Sequence, residues 1–309
     1  MRVELICTYM MVFFVAFACF AQEAEQEGQT IAAAYPGLVT GGLAAARMVS
    51  LPEGILARSQ GIEVTEKDIE SETMRMAPWM QSDQIRKHAL FVLEKVVTDR
   101  LLLKAAKEEA KRESQGSAAT NDDALVNGYL SRAVGEIKVT DEEIGQFYEA
   151  NASMFCGAPL DQVKGQIKSH LTQQKREDRK TEHIRSLGES AGIEVAATWA
   201  EEKAKLALDN PVDKARGSGK HSLIVFSAGS CCGKDRMLPL VQSVREKHAN
   251  SLNVIYVNAK TDQLLCERYG IQSIPTEVFF DEKGIEASRT VGFMDEGGIE
   301  EILSTMGVD

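Results

Sequence analysis

The chain has 309 residues, of which 44% are hydrophobic and 26% charged, and this composition supports two ordinary domains with packed cores. The formal net charge of -11 and the sequence pI near 5.1 argue against attraction to phosphate backbones, which requires clustered Lys and Arg. We therefore expect a soluble two-domain protein that has no nucleic acid as a partner.

The first residues have the layout of a secretory signal peptide. An uncharged apolar stretch runs from Leu5 to Phe20, and the acidic segment Gln22 to Glu25 follows it. We assign residues 1–21 to a signal peptide, and Cys19 leaves a lipoprotein signal as an alternative. The stretch is shorter than the roughly 20 apolar residues of a membrane-spanning helix. The prediction is export to the periplasm or cell envelope, with membrane contact only through an uncleaved anchor or a lipid.

A tether and a helical domain are predicted next. Residues 22–54 are rich in Ala and Gly and indicate a flexible tether. Residues 55–197 are predicted to form an all-α domain, because helix starts recur with an acid three positions after a threonine. These starts are Thr65 with Asp68 and Thr140 with Glu143. Between them apolar residues recur at spacings of three and four, as in a long amphipathic helix running to Ala110.

The order of these pieces resembles the helical domain of SurA-type periplasmic chaperones and their parvulin-linked relatives. The strings that carry the resemblance are residues 61–68, 139–149 and 160–175. In that family a prolyl isomerase domain commonly follows the tyrosine-bearing helix, whereas here only the nine residues Asn151 to Pro159 separate it from the next helix. The resemblance therefore implies a chaperone-like cradle for unfolded polypeptides without prolyl isomerase activity. A generic helical bundle that acts as a spacer or dimerisation module is the alternative.

Residues 198–309 alternate short apolar runs with amphipathic segments. Strands are predicted at 222–226, 253–258, 277–280 and 288–292, and helices at 199–208, 237–247, 264–269 and 298–306. The first strand, helix and second strand predict a right-handed βαβ unit with a parallel strand pair.

This order of elements resembles the exported bacterial thioredoxin-like proteins, with residues 269–276, 279–284 and 291–294 as the specific strings. The predicted fold class is therefore an α+β two-domain chain, an all-α SurA-like domain followed by an α/β thioredoxin fold. The resemblance implies a cis peptide bond before Pro275, which would lie against the redox turn. Ile274, Pro275 and Thr276 are then the expected substrate-binding residues, offering backbone groups to an extended peptide.

The redox turn departs from the family pattern. The resemblance places Cys231 at the attacking position and Lys234 where the family has its resolving cysteine. Cys232 is a candidate helper, although Cα atoms about 3.8 Å apart are closer than a disulfide prefers. Lys234 either favours the thiolate of Cys231 or is an ordinary solvated lysine. The family's buried acid in the preceding strand corresponds to Val225, so that acid is also missing there.

Neither the other cysteines nor a metal ion is predicted as part of the redox site. Vicinal thiolates can hold soft metals, but no histidine has ligand spacing around Cys231, so neither metal nor another cofactor is predicted. Cys266 and Cys156 are interpreted as packed apolar residues, with a regulatory pairing of Cys156 left open.

Two functions follow for the whole chain. The first is thiol-disulfide oxidoreductase or monothiol exchange on cysteine-bearing polypeptides held by the helical domain, with Cys231 and Cys232 as the catalytic residues and a redox partner protein to renew them. The second is a non-catalytic chaperone or binding protein that uses a degenerate thioredoxin fold for peptide recognition.

Overall fold

A computed structural model describes residues 28–76, 82–112, 121–150, 155, 158–228 and 237–308. Within these residues the chain forms two compact units. The first consists of 28–76, 89–112, 121–133 and 180–204, and the second of 82–88, 134–150, 155, 158–179, 205–228 and 237–308. None of the helices in these described ranges is long and apolar enough to cross a membrane.

The first unit contains a four-stranded sheet that the sequence analysis missed. Its strands, numbered in chain order, are β1 (Arg47–Val49), β2 (Ile55–Ser59), β3 (Ile62–Thr65) and β4 (Glu194–Ala196). The sheet order is β1-β4-β2-β3, with β1 parallel to β4 and the other pairs antiparallel. The prediction of an all-α domain over 55–197 is therefore wrong, although most of this region is helical. The error arises because these strands have only three to five residues, too few for a clear period-two pattern.

The expected tether at 22–54 is folded where the structure describes it, from residue 28 onward. Ile31, Leu43 and Met48 are buried, and β1 pairs with β4. The loop that holds Leu43 is fixed by Glu94, whose carboxylate accepts hydrogen bonds from the backbone N–H of Gly41 at 2.7 Å and of Leu43 at 3.4 Å. The prediction of a tether is wrong for residues 28–54, because Ala and Gly there allow close packing rather than flexibility.

Twelve helices lie within the described residues. They are α1 (Ile31–Ala34), α2 (Glu66–Met76), α3 (Ser82–Lys87), α4 (Ala89–Arg112), α5 (Asp122–Val134), α6 (Asp141–Ala150), α7 (Leu160–Ala191), α8 (Ala197–Leu208), α9 (Pro211–Arg216), α10 (Met237–Lys247), α11 (Gln263–Arg268) and α12 (Glu296–Thr305).

Both predicted helix starts are confirmed by their capping hydrogen bonds. At α2 the Asp68 carboxylate accepts from the backbone N–H and the hydroxyl of Thr65, both at 2.8 Å. At α6 the Thr140 N–H donates to Glu143 at 2.9 Å, and the Glu143 N–H donates to the Thr140 hydroxyl at 3.2 Å. This reciprocal pair satisfies two backbone donors that a helix start otherwise leaves unpaired.

The second unit contains the predicted α/β region. Its strands are β5 (His221–Ser227), β6 (Leu252–Asn258), β7 (Thr276–Phe280) and β8 (Glu286–Val291). They form one sheet in the order β6-β5-β7-β8. The predicted parallel pair β5 and β6 is confirmed, and β7 and β8 add to it as antiparallel strands.

Each face of this sheet carries its own apolar cluster. On one face Leu223, Val225 and Phe279 pack against α10 and α12. On the other face Ile224 and Phe226 pack against α9 and α11. The central strand β5 is therefore buried on both sides, which explains its uninterrupted apolar run.

Candidate functional site

The candidate site lies at the edge of the second sheet where β5 ends. The described chain leaves β5 at Ser227, continues to residue 228 and resumes at Met237, the first residue of α10. Cys231, Cys232 and Lys234 belong to the intervening segment and lie outside the described residues. Cys156 also lies outside them. The described part of the site consists of the residues that surround this edge.

The start of β7 forms the neighbouring part of the edge. Thr276 pairs with Phe226, and this register places Pro275 one step further on, beside the end of β5. The peptide bond between Ile274 and Pro275 is cis. The carbonyl of Pro275 accepts from the Gly292 N–H at 2.8 Å, which ties the turn to the end of β8.

The three expected substrate-binding residues differ in exposure. Ile274 is 44% exposed, Pro275 is partly buried, and Thr276 is 1% exposed. The hydroxyl of Thr276 donates to the carbonyl of Ser273 at 2.6 Å and so stabilises the turn from inside. Of these three residues, Ile274 presents the accessible apolar side chain.

Glu277 is the residue that the sequence analysis did not single out. It stands on β7 directly opposite Val225 of β5, and its exposed fraction is 0%. Neither carboxyl oxygen has a hydrogen-bond partner among the described residues. Burial raises the pKa of this carboxyl to about 8. The backbone N–H groups of Glu277 and Met294 oppose part of the rise, although neither reaches hydrogen-bond geometry with the carboxyl oxygens. The available signal was a single acidic residue directly before the apolar run Val278 to Phe280.

An ionic network covers part of the opposite face of the sheet. Arg268 on α11 forms a buried ion pair with Asp213 on α9, and the Tyr269 hydroxyl donates to the same carboxylate at 2.9 Å. Arg216 donates to the carbonyl of Gly284 at 2.9 Å and 3.1 Å. Every charged group of this network has a partner, so it stabilises the attachment of α9 and α11 and offers no free group for chemistry.

Cys266 is confirmed as a packed thiol. It is buried in the cluster of α9 and α11, and burial, together with the charges of Asp262 and Glu267, raises its pKa to about 11. A thiol with that pKa is almost entirely protonated at neutral pH and is a poor nucleophile. Among the described residues, no three His, Cys, Asp or Glu side chains come together as a metal-binding group.

The comparisons with known proteins identify the second sheet region. Residues 208–307 match a family model described as a thioredoxin-like domain. A thioredoxin mutant from Entamoeba histolytica is 23% identical, covers 29% of this chain and 85% of its own, and gives a TM-score of 0.26. A thioredoxin mutant from Halobacterium salinarum NRC-1 is 25% identical, covers 32% and 83%, and gives a TM-score of 0.28. No curated protein matches the chain. The chain thus carries a thioredoxin-like domain at 208–307, inside the predicted range 198–309.

Proposed function

We propose that the thioredoxin-like domain performs thiol-disulfide exchange on cysteine-bearing polypeptides, with Cys231 as the nucleophile. The observation that carries the proposal is the thioredoxin-like match over residues 208–307, which contains Cys231 and Cys232 between β5 and α10. Cys266, the other cysteine in the matched region, is buried and has a raised pKa, so it does not compete for this role.

The exchange balances without a resolving cysteine at position 234. The Cys231 thiolate attacks one sulfur of a client disulfide, a new S–S bond forms, and the second client sulfur leaves as a thiolate that takes up a proton. A small-molecule thiol then attacks the mixed disulfide and releases Cys231. Cys232 is the internal alternative to that small thiol, and Lys234 favours the thiolate form of Cys231.

The edge beside the site supports a polypeptide substrate. Ile274 presents an apolar side chain that is 44% exposed, and Leu238 on the first turn of α10 is 48% exposed. Leu238 follows Cys231 by seven residues in the chain, and burial of either apolar side chain against an unfolded client would be favourable. We infer that Ile274 and Pro275 position the client, while Thr276 holds the turn.

The same proposal assigns the N-terminal apolar stretch to export and the helical region to the binding of unfolded client polypeptides. The apolar stretch from Leu5 to Phe20 supports export to the periplasm or cell envelope, where disulfides persist. The resemblance of the helical region to SurA-type chaperones supports a role in holding unfolded polypeptides. A purely binding role for both regions is the second candidate, favoured by lysine at position 234.

Insulin reduction with dithiothreitol as the electron source tests the exchange activity. We expect turnover by the purified protein, loss of turnover in Cys231→Ser, and no change in the control Cys266→Ala. Lys234→Cys supplies a resolving thiol and should raise the rate about tenfold or more. Cys232→Ser then shows whether the neighbouring thiol resolves the mixed disulfide.

The binding alternative has its own readout. It predicts that the protein suppresses aggregation of a cysteine-free unfolded client equally well when Cys231 and Cys232 are both serine. A wild-type protein that does not reduce insulin, beside an active Lys234→Cys variant, would contradict the exchange proposal and favour the binding role.

A further inference from the structure

A groove of about 480 Å³ lies in the first unit, between α4 and the turn that joins β2 to β3. Gly61, Ile62 and Glu63 form one wall, and the other wall is a face of α4 between Arg100 and Lys111. Both walls belong to the same unit. The thiol-disulfide exchange proposed above uses none of these residues.

The α4 wall carries a stripe of cations. Arg100, Lys104, Lys107 and Lys111 are four, three and four residues apart, so they lie on one face of the helix. The stripe is about 16 Å long, at about 1.5 Å per residue. The described lining of the groove holds these four cations and two glutamates, whereas the whole chain has 35 basic and 46 acidic residues. The lining is thus basic in an acidic protein.

Two of these cations already have carboxylate partners. Arg100 pairs with Asp68, and Lys107 pairs with Asp122 at 3.1 Å. The side chains of Lys107 and Asp122 are 47% and 61% exposed, and an exposed pair of this kind contributes little stability. Lys107 can therefore exchange its partner for a carboxylate of a ligand at small cost.

Lys104 and Lys111 have no acid within ion-pair distance among the described residues. Lys104 is half-buried, and its ammonium donates to the carbonyl of Gln60. A Cβ at Gly61 would lie 4.0 Å from this ammonium, and glycine at that position, where φ is +75°, leaves the ammonium uncovered. A lysine ammonium has three N–H donors, so the others are available to a carboxylate, which accepts strong charge-assisted hydrogen bonds.

Apolar side chains complete the lining of the groove. Ile62 is 7% exposed, and Leu103 is partly buried. An extended polypeptide points successive side chains to opposite sides, with alternate ones about 6.6 Å apart. Long and flexible lysine side chains can follow that spacing along α4. A segment that alternates acidic and apolar residues therefore meets cations on one side and Ile62 on the other.

Backbone pairing with β3 is not the mode of binding that this groove favours. β3 is the last strand in the sheet order, but Arg100 donates to the carbonyl of Glu63, and Lys104 donates to that of Gln60 at the turn. These two side chains occupy backbone acceptors at the edge, as charged side chains commonly do on edge strands. Recognition of a ligand therefore depends on its side chains.

We propose that the groove binds an extended polypeptide segment in which acidic and apolar residues alternate. Lys104, Lys107 and Lys111 bind its carboxylates, and the apolar lining contacts its other side chains. Glu63 and Glu108 line the same groove and repel acids, which limits the affinity. The inference rests on the proposed role of the helical region in holding client polypeptides, and it supplies the chemistry of the client.

Fluorescence anisotropy with a labelled synthetic peptide of three glutamate-valine repeats tests the proposal on the purified protein. We expect saturable binding that weakens as the salt concentration rises from about 50 mM to about 500 mM, because salt screens exposed charges. Two peptides with glutamine or lysine in place of glutamate serve as charge controls. Each should bind at least about tenfold more weakly.

Substitutions in the groove test the named residues. Lys104→Gln and Lys111→Gln should each lower the affinity about threefold, and together about tenfold. Glu108→Gln removes a repelling charge and should raise the affinity about twofold. Lys168→Gln removes an exposed lysine of α7 and should change nothing. Lys111 and Glu108 are exposed, so their variants keep the test valid if Lys104→Gln fails to fold.

Three results would overturn the proposal. They are equal binding of the glutamine peptide, unchanged binding by the double lysine variant, and displacement of the peptide by inorganic phosphate at constant ionic strength, which would show a simple anion site.

The outcomes also separate this inference from the proposed function. A protein that suppresses aggregation of an unfolded client but does not bind the peptide retains the holding role and refutes the groove as its site. Peptide binding that depends on Lys104 and Lys111, without any suppression of aggregation, supports the groove and counts against the holding role. Insulin reduction should be unchanged in every groove variant.

Discussion

Two buried glutamates, one in each unit, are accommodated in opposite ways. Glu72 on α2 is 6% exposed and lies 3.2 Å from the Arg75 guanidinium and 3.1 Å from the Lys95 ammonium. Glu277 on β7 is 0% exposed and has no hydrogen-bond partner in the described residues. The ion pairs compensate the charge of Glu72, whereas Glu277 avoids its charge by keeping a proton. The first unit therefore uses a buried acid as an ion-paired link between α2 and α4, and the thioredoxin-like domain retains one that has no ion pair and a raised pKa.

The largest expected effect is on the pH dependence of stability. The pKa of Glu277 is raised from 4.5 to about 8, so the folded state binds its proton more tightly than the unfolded state does. The stability contributed by this group is fully present below about pH 4.5 and is lost as the pH rises to about 8, at about 1.4 kcal/mol per pH unit and about 5 kcal/mol in total. Glu277→Gln should lack this loss.

Urea unfolding followed by hydrogen exchange in the β5 and β7 peptides measures this effect within the domain itself. The wild type should lose stability relative to Glu277→Gln between about pH 5 and about pH 8. Parallel stability curves for the two proteins would show that Glu277 titrates normally, and the contrast with Glu72 would then disappear.

The first unit can be destabilised by a substitution that changes no charged residue. Gly188 on α7 lies against the loop that contains Gly42, and a Cβ at position 188 would be 2.0 Å from the Gly42 carbonyl oxygen and 2.7 Å from its carbon. Backbone atoms cannot give way as a flexible side chain can, so Gly188→Ala should lower the free energy of unfolding by about 3 kcal/mol.

Gly165 provides the matched control because it lies in the same helix. A Cβ there meets no atom within 4 Å, so Gly165→Ala should raise stability by about 0.5–1 kcal/mol through better helix propensity. Thermal unfolding of both variants is the measurement. Equal melting temperatures would mean that α7 and the loop at Gly42 do not pack this closely.

Local signals explain which parts of the fold could be predicted from the sequence. The helix Met237–Lys247 and the strands β5 and β6 were predicted to within about one residue, because long apolar runs and amphipathic spacing are visible in a short window. The first sheet was missed because β1 and β4 have three residues each and are far apart in the chain. Pairing at such a distance leaves no local pattern.

The candidate site, too, could be predicted only in part from the sequence. The edge formed by Ile274 and Pro275 followed from a resemblance carried by neighbouring residues. Glu277 did not follow from that resemblance, because the resemblance places a buried acid on the strand that precedes the redox turn, where this chain has Val225. The register that brings β7 beside β5 is a property of the folded sheet, and a sequence shows it only when both strands and their turn lengths are known.

The smallest expected loss of stability comes from removing the paired acid. Glu72→Gln keeps the shape of the side chain but deprives Arg75 and Lys95 of their shared carboxylate. Arg75 is 73% exposed and Lys95 is 35% exposed at the side chain, so water can solvate both cations after the change. The cost should therefore be about 1–2 kcal/mol, below the penalty for a fully buried pair.

Chemical unfolding at neutral pH measures it, and Glu72→Gln should be the less stable of the two glutamine variants there, because Glu277 is already largely protonated and loses little charge on replacement. The reverse order would show that Glu277 makes a larger favourable contribution to the folded state than the ion-paired Glu72 does, and it would remove the distinction between an ion-paired and an unpaired buried acid.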